Sequence, residues 1–287
     1  MILRSALLAF AVLSFACGDD ASGAGGGGAG GATSSSVTST SSVGGAGGEG
    51  GTGGAGGGSG VGGAGGVGGG GSGVGGAGGE GGAAFDYYGA LSGRCGVIDE
   101  SELLDEVPQL IHNELDFSGE PSFEVSMLSP GGQAIHAAGN LNQGSLLSEI
   151  FAFEVLHRCE GAALLETENT IDYDVDGKKT DLLVEIQGQR VGVSVVRAMS
   201  FPEGAPYPVS QATTILEGKL ADILVSSANV SANHAWPKQI LAVVAQTDMH
   251  AAAIAEAWGM LDASLRADTI VAVTVTEGSD GFVYYNQ

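Results

Sequence analysis

The chain has 287 residues, of which 33 are acidic, 10 basic, 52 glycine and only seven proline. Residues 18–82 hold 35 of the glycines; with four acidic and one basic residue lying before residue 85, the remaining 203 residues carry 29 acidic and 9 basic groups, a net charge of −20. That balance repels polyphosphates at long range and argues against a protein that coats DNA or RNA. Glycines without a three-residue period and so few prolines exclude collagen, while 203 residues suffice for one sizeable core.

The N-terminus reads as an export signal over residues 1–16: Arg4 is its one charge, and the apolar run Ala6–Leu13 is too short for a spanning helix. The run ends in Ser14-Phe15-Ala16-Cys17, which resembles a bacterial lipoprotein signal with Cys17 as the lipidated residue; Ser14 and Ala16 also fit an ordinary small-x-small cleavage site. Gly18 after the cysteine implies, by that resemblance, an outer-membrane or cell-surface location, with a periplasmic or secreted protein as the other outcome. The lipid at Cys17 would then make the membrane a partner. Residues 17–84 are expected to form a disordered tether, because Val-Gly-Gly-Ala-Gly-Gly-Glu-Gly-Gly at 43–51 and again at 74–82 offers almost nothing to bury. As a random coil its ends would lie roughly 45 Å apart.

The folded part is expected to comprise an α+β extension over 85–145 and an α/β core over 146–287. In the extension, Asp99–Glu114 reads as helical and acidic at its start with Pro108 as a break or kink, Ser122–Leu128 alternates like a strand, and Ser129-Pro130-Gly131-Gly132 reads as a turn. His112 and His136 stand alone and suggest no ligand set. The core opens with a helix at Leu146–Arg158, apolar nearly all round. Strands follow at 171–175, where Ile171, Tyr173 and Val175 alternate with aspartates, then at Asp181–Gln187 and Val191–Ala198. An amphipathic helix at Val209–Val225, a buried strand at Gln239–Ala245, a helix carrying Ala251, Ile254, Trp258 and Leu261, and a strand at Thr269–Val275 complete the order. The fold class is α/β with a mixed sheet. Cys95 and Cys159 are the cysteines left after Cys17, and in an oxidising compartment they are expected to pair. His157 and Cys159, two apart on a helix, face different ways and make a poor nucleophile pair.

With Gly188-Gln189 as a two-residue loop, Gln187 pairs with Arg190 and Glu185 with Gly192, so Asp181, Leu183, Glu185, Ser194 and Val196 share one face of the sheet. A helix followed by an Asp-bearing hairpin and a second strand with two positions on that face resembles the PD-(D/E)XK nuclease-like fold, over about residues 146–247. Thr180-Asp181 stands where the family has Pro-Asp, and Gly192–Val196 stands for the strand that ends in Glu-x-Lys; Glu149 matches the acidic residue many members carry on the helix, and Gln211 a glutamine some use on the next one. The resemblance implies a divalent metal, Mg²⁺ or Mn²⁺, held by carboxylates, and a lysine that helps activate water. Here Ser194 replaces the second carboxylate and Val196 the lysine. Glu149, Glu154 or Glu185 would have to supply the carboxylate, and Lys219 the ammonium. The alternative is a scaffold in which Asp181 caps a turn or pairs with Lys178 or Lys179.

Asp172-x-Asp174-x-Asp176-Gly177 resembles the front of an EF-hand calcium loop, but its twelfth position is Leu183 rather than a bidentate glutamate. Glu154 is four residues before Arg158 and is expected to pair with it. Trp236, Tyr284 and Tyr285 read as lids on the core. Two functions follow, with a structural envelope protein that binds no ligand as a third possibility. One is an exported, lipid-anchored protein with a degenerate nuclease-like domain that needs no cofactor and binds an unidentified protein or peptide. The other is a metal-dependent nuclease with a rearranged site at Asp181, Glu149, Ser194 and Lys219. Six of the nine basic residues (Lys178, Lys179, Arg190, Arg197, Lys219 and Lys238) discriminate between them by whether they gather beside Asp181.

Overall fold

Period-two stretches rich in Val, Ile and Leu build one seven-stranded sheet, in the order β1-β2-β7-β6-β5-β4-β3. The computed structural model describes residues 87–141 and 144–285. The expected signal peptide, Cys17 and the glycine-rich segment lie outside the described residues. The strands are β1 (Ala90–Gly93), β2 (Gln109–Asp116), β3 (Ala163–Thr167), β4 (Leu182–Ile186), β5 (Gln189–Ala198), β6 (Lys238–Ala245) and β7 (Ile270–Glu277). The helices are α1 (Glu100–Leu104), α2 (Pro130–Ala138), α3 (Leu146–Glu160), α4 (Val209–Asn229), α5 (Asp248–Met260), α6 (Ala263–Arg266) and α7 (Gly281–Tyr285). Strands β5, β6, β7 and β2 run parallel, and β1, β3 and β4 are antiparallel to their neighbours, so the fold is α/β with a mixed sheet.

Parallel strands bury both faces, which is why β6 is buried at every position. On one face Val193, Val195, Ile240, Ala242 and Ala272 pack under α3, together with Phe117 and Phe151. On the other, Leu241, Val243, Val271 and Val273 meet Leu216, Leu220 and Ile223 of α4 and Ile254 and Trp258 of α5. The sequence α3, β3, β4, β5, α4, β6, α5, β7 keeps the expected helix–three strands–helix–strand–helix–strand order. Segment 85–145 contributes β1 and β2, and β2 joins the sheet through β7.

Four local expectations are corrected. The stretch from Asp99 to Glu114 is a five-residue helix and then a strand: Pro108 removes a donor and pushes Val107 toward extended backbone, while Ile111, Asn113 and Leu115 are buried between exposed His112 and Glu114. Ser122–Leu128 holds a single 3₁₀ turn at Val125–Met127. Ser129-Pro130 starts α2, with Ser129 as N-cap and proline in the first turn, and Gly131 and Gly132 let α2 approach α3: a Cβ on them would come within 2.4 Å of Phe153 and 2.2 Å of Glu154. The first strand after α3 is β3; residues 171–175 form only a lone bridge between Tyr173 and Val230.

The β4–β5 register also differs. Ile186 pairs with Gln189 and Glu185 with Arg190, so the loop is Gln187-Gly188, both residues having positive φ, 51° and 77°. A tight hairpin of the I′ kind needs positive φ at both loop positions and favours glycine second, which moves the loop back one residue from Gly188-Gln189. Each residue therefore meets a partner two positions earlier than expected. Side chains alternate with period two, so the expected faces survive. Asp181, Leu183 and Glu185 still share a side with Gly192 and Ser194.

Cys95, just past β1, is joined by a disulfide to Cys159 at the end of α3, closing a loop of 64 residues. Buried Glu160 next to it accepts hydrogen bonds from the Gly96 and Ile98 N–H groups. Restricting the unfolded chain this way is worth about 4 kcal/mol on the loop-entropy account. The double variant Cys95→Ala/Cys159→Ala should lose about that much in urea unfolding, with reductant no longer altering its midpoint; a loss below about 1 kcal/mol would refute the entropic account.

Candidate functional site

β5 is longer than β4. The last β4–β5 pair toward this end is Leu182–Val193, yet β5 continues to Ala198 beside β6. Asp181 fills the step. Its N–H donates to the Val193 carbonyl at 3.1 Å, and its carboxylate Oδ2 accepts the Val195 N–H at 2.6 Å, so a side chain continues the ladder where the strand stops. The step opens on the edge where the parallel strands β5, β6 and β7 end, the edge at which open α/β sheets hold ligands.

Three neighbours converge on it. One residue beyond the Thr167–Leu182 pair, Glu168 leaves β3 beside Asp181 and accepts the Leu141 N–H. Glu149, buried in the first turn of α3, accepts from Asn140 Nδ2 and Ser145 Oγ, each at 2.7 Å. Half-buried Lys219 approaches from α4. Their charges act on one another. Burial, then the Asp181 charge, push Glu149 up to about 7 against the pull of Ser145 and Asn140, and Glu168 adds to the rise. Burial also raises Asp181, opposed by Lys219 and the Val195 N–H. Glu168 is raised by burial and by Asp181, with the Leu141 N–H, Lys179 and Lys219 opposing. Tyr173 completes the surroundings; its hydroxyl accepts the Thr180 N–H at 2.7 Å.

The structure thus brings together Asp181, Glu149 and Lys219 of the residues singled out in the sequence. Ser194 lies in the same row, buried and facing the α4 side. Other candidates are elsewhere. Exposed Glu185 pairs with Arg190 toward the hairpin turn, and Gln211 is exposed in the first turn of α4. Glu154 serves α2, accepting from the Ser129 N–H at 2.9 Å and Oγ at 2.7 Å. Its expected partner Arg158 instead donates to the Tyr88 and Gly89 carbonyls and covers the Tyr87 ring. Asp172 and Asp174 belong to a loop laid along α4, where the Asp174 N–H meets the Asn229 carbonyl. Trp236 covers Gly192 with Ile171 and Leu183, a core lid.

Glu168 and Tyr173 escaped the sequence reading. With the first strand placed at 171–175 instead of 163–167, Glu168 had no reason to stand next to Asp181; once β3 is in register the adjacency is direct. The basic residues divide. Lys179 and Lys219 act on the site carboxylates, Lys178 pairs with Asp222 at 3.4 Å, and Arg197 donates to the Gly144 and Tyr284 carbonyls. Arg190 and Lys238 lie toward the opposite edge, bonded to the Asn233 and Asp105 carbonyls. Among the described residues, no group of three or more His, Cys, Asp or Glu side chains is arranged to hold a metal ion.

Fold and site together define a mixed α/β domain with a carboxylate–lysine cluster at the carboxyl edge of its sheet. No family model matches the chain. It is similar to the AAC-rich mRNA clone AAC4 protein of Dictyostelium discoideum, at 32% identity over 192 residues, 65% of this chain and 26% of that one, so it spans about a quarter of that relative's length. Among solved structures it is similar to SfsA of Pyrococcus furiosus in complex with Ca²⁺, at 17% identity and a TM-score of 0.26, covering 48% of this chain and 59% of that one. A likeness at that score carries no argument about fold or activity.

Glu149 makes a prediction of definite sign. A carboxyl raised from its usual 4.5 to about 7 in the folded protein holds its proton longer there than in the unfolded chain. Its contribution is therefore most favourable below pH 4.5 and is lost as pH rises toward 7, by about 3 kcal/mol. In the presence of chelator, Glu149→Gln should remove this part of the slope between pH 4.5 and 7 and be the more stable protein at pH 8. Parallel stability curves for the two proteins would refute the assignment.

Proposed function

We propose that the domain hydrolyses phosphodiester bonds with a divalent cation held by Asp181 and Glu149, a rearranged form of the nuclease-like site that the sequence resembles. The observation that carries this reading is the convergence of three charged groups from three separate elements, Asp181 before β4, Glu149 on α3 and Lys219 on α4, at the step where β5 outlasts β4. The donor chemistry fits a hard cation. Three carboxylates that are all raised by burial, two of them also by the Asp181 charge, lack matching positive charge, and Mg²⁺ commonly binds through one or two carboxylates plus the phosphate of its substrate. A bound Mg²⁺ or Mn²⁺ would polarise the phosphoryl oxygen and acidify a bound water. The chain's own groups do the rest: the Val195 N–H fixes the Asp181 carboxylate, Asn140 and Ser145 aim that of Glu149, and Lys219 supplies from α4 the positive charge that Val196 on β5 lacks.

Ser194 and Val196 favour a second reading, a domain that keeps the scaffold, has lost catalysis and binds a protein or peptide partner. In either case we read the chain as exported and anchored to a membrane through lipid at Cys17, on the strength of residues 1–17. One experiment separates the two readings. Purified full-length chain and its Asp181→Ala variant are assayed on bis(p-nitrophenyl) phosphate with Mg²⁺, with Mn²⁺ and with chelator. Metal-dependent turnover that falls at least about a hundredfold in the variant supports the phosphodiesterase. A wild-type rate equal to that with chelator, from protein shown to be folded, leaves the binding scaffold.

A further inference from the structure

We propose that this site accepts short phosphate esters, with one or two phosphates in contact, and excludes nucleic-acid strands; the proposal rests on the phosphodiesterase reading above. Positive charge decides it. Of the nine basic residues after residue 84, Arg158 and Arg197 are bonded to backbone carbonyls, Arg266 covers the Trp258 ring and Lys178 is paired with Asp222. Arg190 and Lys238 lie toward the opposite edge of the sheet, and exposed Arg94 follows β1 at the far end of the strand order from β3. Lys179 and Lys219 remain. Both act on the site carboxylates, and neither forms an ion pair among the described residues. Two ammonium groups neutralise two phosphates, whereas proteins that hold nucleic acid make roughly 6–10 phosphate contacts.

The flank past β5 adds repulsion. Beyond β5, the depression where β6 and β7 end is lined by Asp248, Glu277 and Asp280, and Glu203 is close enough to raise Asp280 further. A strand extending from Asp181 past β5 would lay its phosphates against these carboxylates. A molecule that ends within the reach of Lys179 and Lys219 avoids that flank.

The test uses the full-length chain with two fluorescent probes, the dinucleotide pTpT and a thymidine oligomer of about 30 nucleotides. Binding is measured in Ca²⁺ over a salt series, and cleavage in Mn²⁺. The proposal expects pTpT to bind, and Lys179→Met and Lys219→Met each to weaken that binding roughly tenfold or more, the worth of one hydrogen bond to a charged group. Per phosphodiester bond, pTpT should be cut at least tenfold faster than the oligomer. If the oligomer binds with a slope of about −4 or steeper, or is cut as fast, the proposal falls and the phosphodiesterase stands. If bis(p-nitrophenyl) phosphate is hydrolysed and neither probe binds, the size limit is wrong in the other direction. Absence of binding and of any turnover overturns both.

Discussion

The site depends on one mismatch of length. β5 extends past β4, and the Val195 N–H that would otherwise be left without a strand partner finds the Asp181 carboxylate at 2.6 Å. A buried backbone donor must be satisfied, so the aspartate is held by the folding of the sheet itself. This is a structural role for Asp181, though neither the turn cap nor the pairing with Lys178 or Lys179 expected of a scaffold, and it leaves the other carboxylate oxygen to the site. On the proposed function, structure and chemistry would use the same residue from two sides. Everything else at the step, Glu168 off the end of β3, Glu149 above on α3 and Lys219 below on α4, is arranged around an atom already fixed by the ladder.

Helix α3 shows how differently buried carboxylates are treated in one element. Glu149, Glu154 and Glu160 are all buried, and burial raises all three. Glu154 is answered by the N–H and hydroxyl of Ser129 at the start of α2, with the charges of His157 and Arg158 helping. Glu160 is answered by the backbone N–H groups of Gly96 and Ile98, next to the disulfide. Each joins two parts of the fold and has a structural reason to be there. Glu149 has two side-chain donors, but it faces two further carboxylates, and the three carboxylates share two ammonium groups, Lys179 and Lys219. Burying like charges together costs stability unless something outside the chain compensates, which is the usual mark of a functional site.

Where the core is periodic, the sequence was a good guide. The apolar run of β6, the stripe of α5 and the β-branched β7 follow from burial on both faces of a parallel sheet. The faces of β4 and β5 also came out right despite a misplaced loop, because an error of two residues preserves side-chain parity. Failures fell where local pattern competed with tertiary pairing. Ile171, Tyr173 and Val175 alternate as a strand should, yet no neighbouring strand is there to take them, and that error hid Glu168. The acidic start of the Asp99–Glu114 segment does form a capped helix, but it lasts five residues before Pro108 hands the chain to β2. Of the residues gathered at the step, Asp181, Glu149 and Lys219 had been singled out through the nuclease-like resemblance, whereas Asn140 and Tyr173 come from loops whose course no periodicity records.

The two edges of the sheet differ in a way that bears on where chemistry can occur. The edge at which β6 begins is closed: Trp236 covers Gly192, and Lys238, though charged, is buried, bonded to the Asp105 carbonyl and lowered by burial against the pull of Asp268 and Asp105. Its charge is consumed in holding the α1–β2 connection. At the carboxyl edge polar groups accumulate instead. Ser200 and Thr247 bond the two ring nitrogens of His250, Gln246 donates to the Tyr285 hydroxyl, and Thr276 links Asp280 with Tyr284. These bonds fasten the segments that leave β5, β6 and β7 to one another. The step at Asp181 is therefore an opening in an otherwise braced rim. A ligand reaching it meets groups whose positions are set by the sheet, and the cost of ordering them was met when the protein folded.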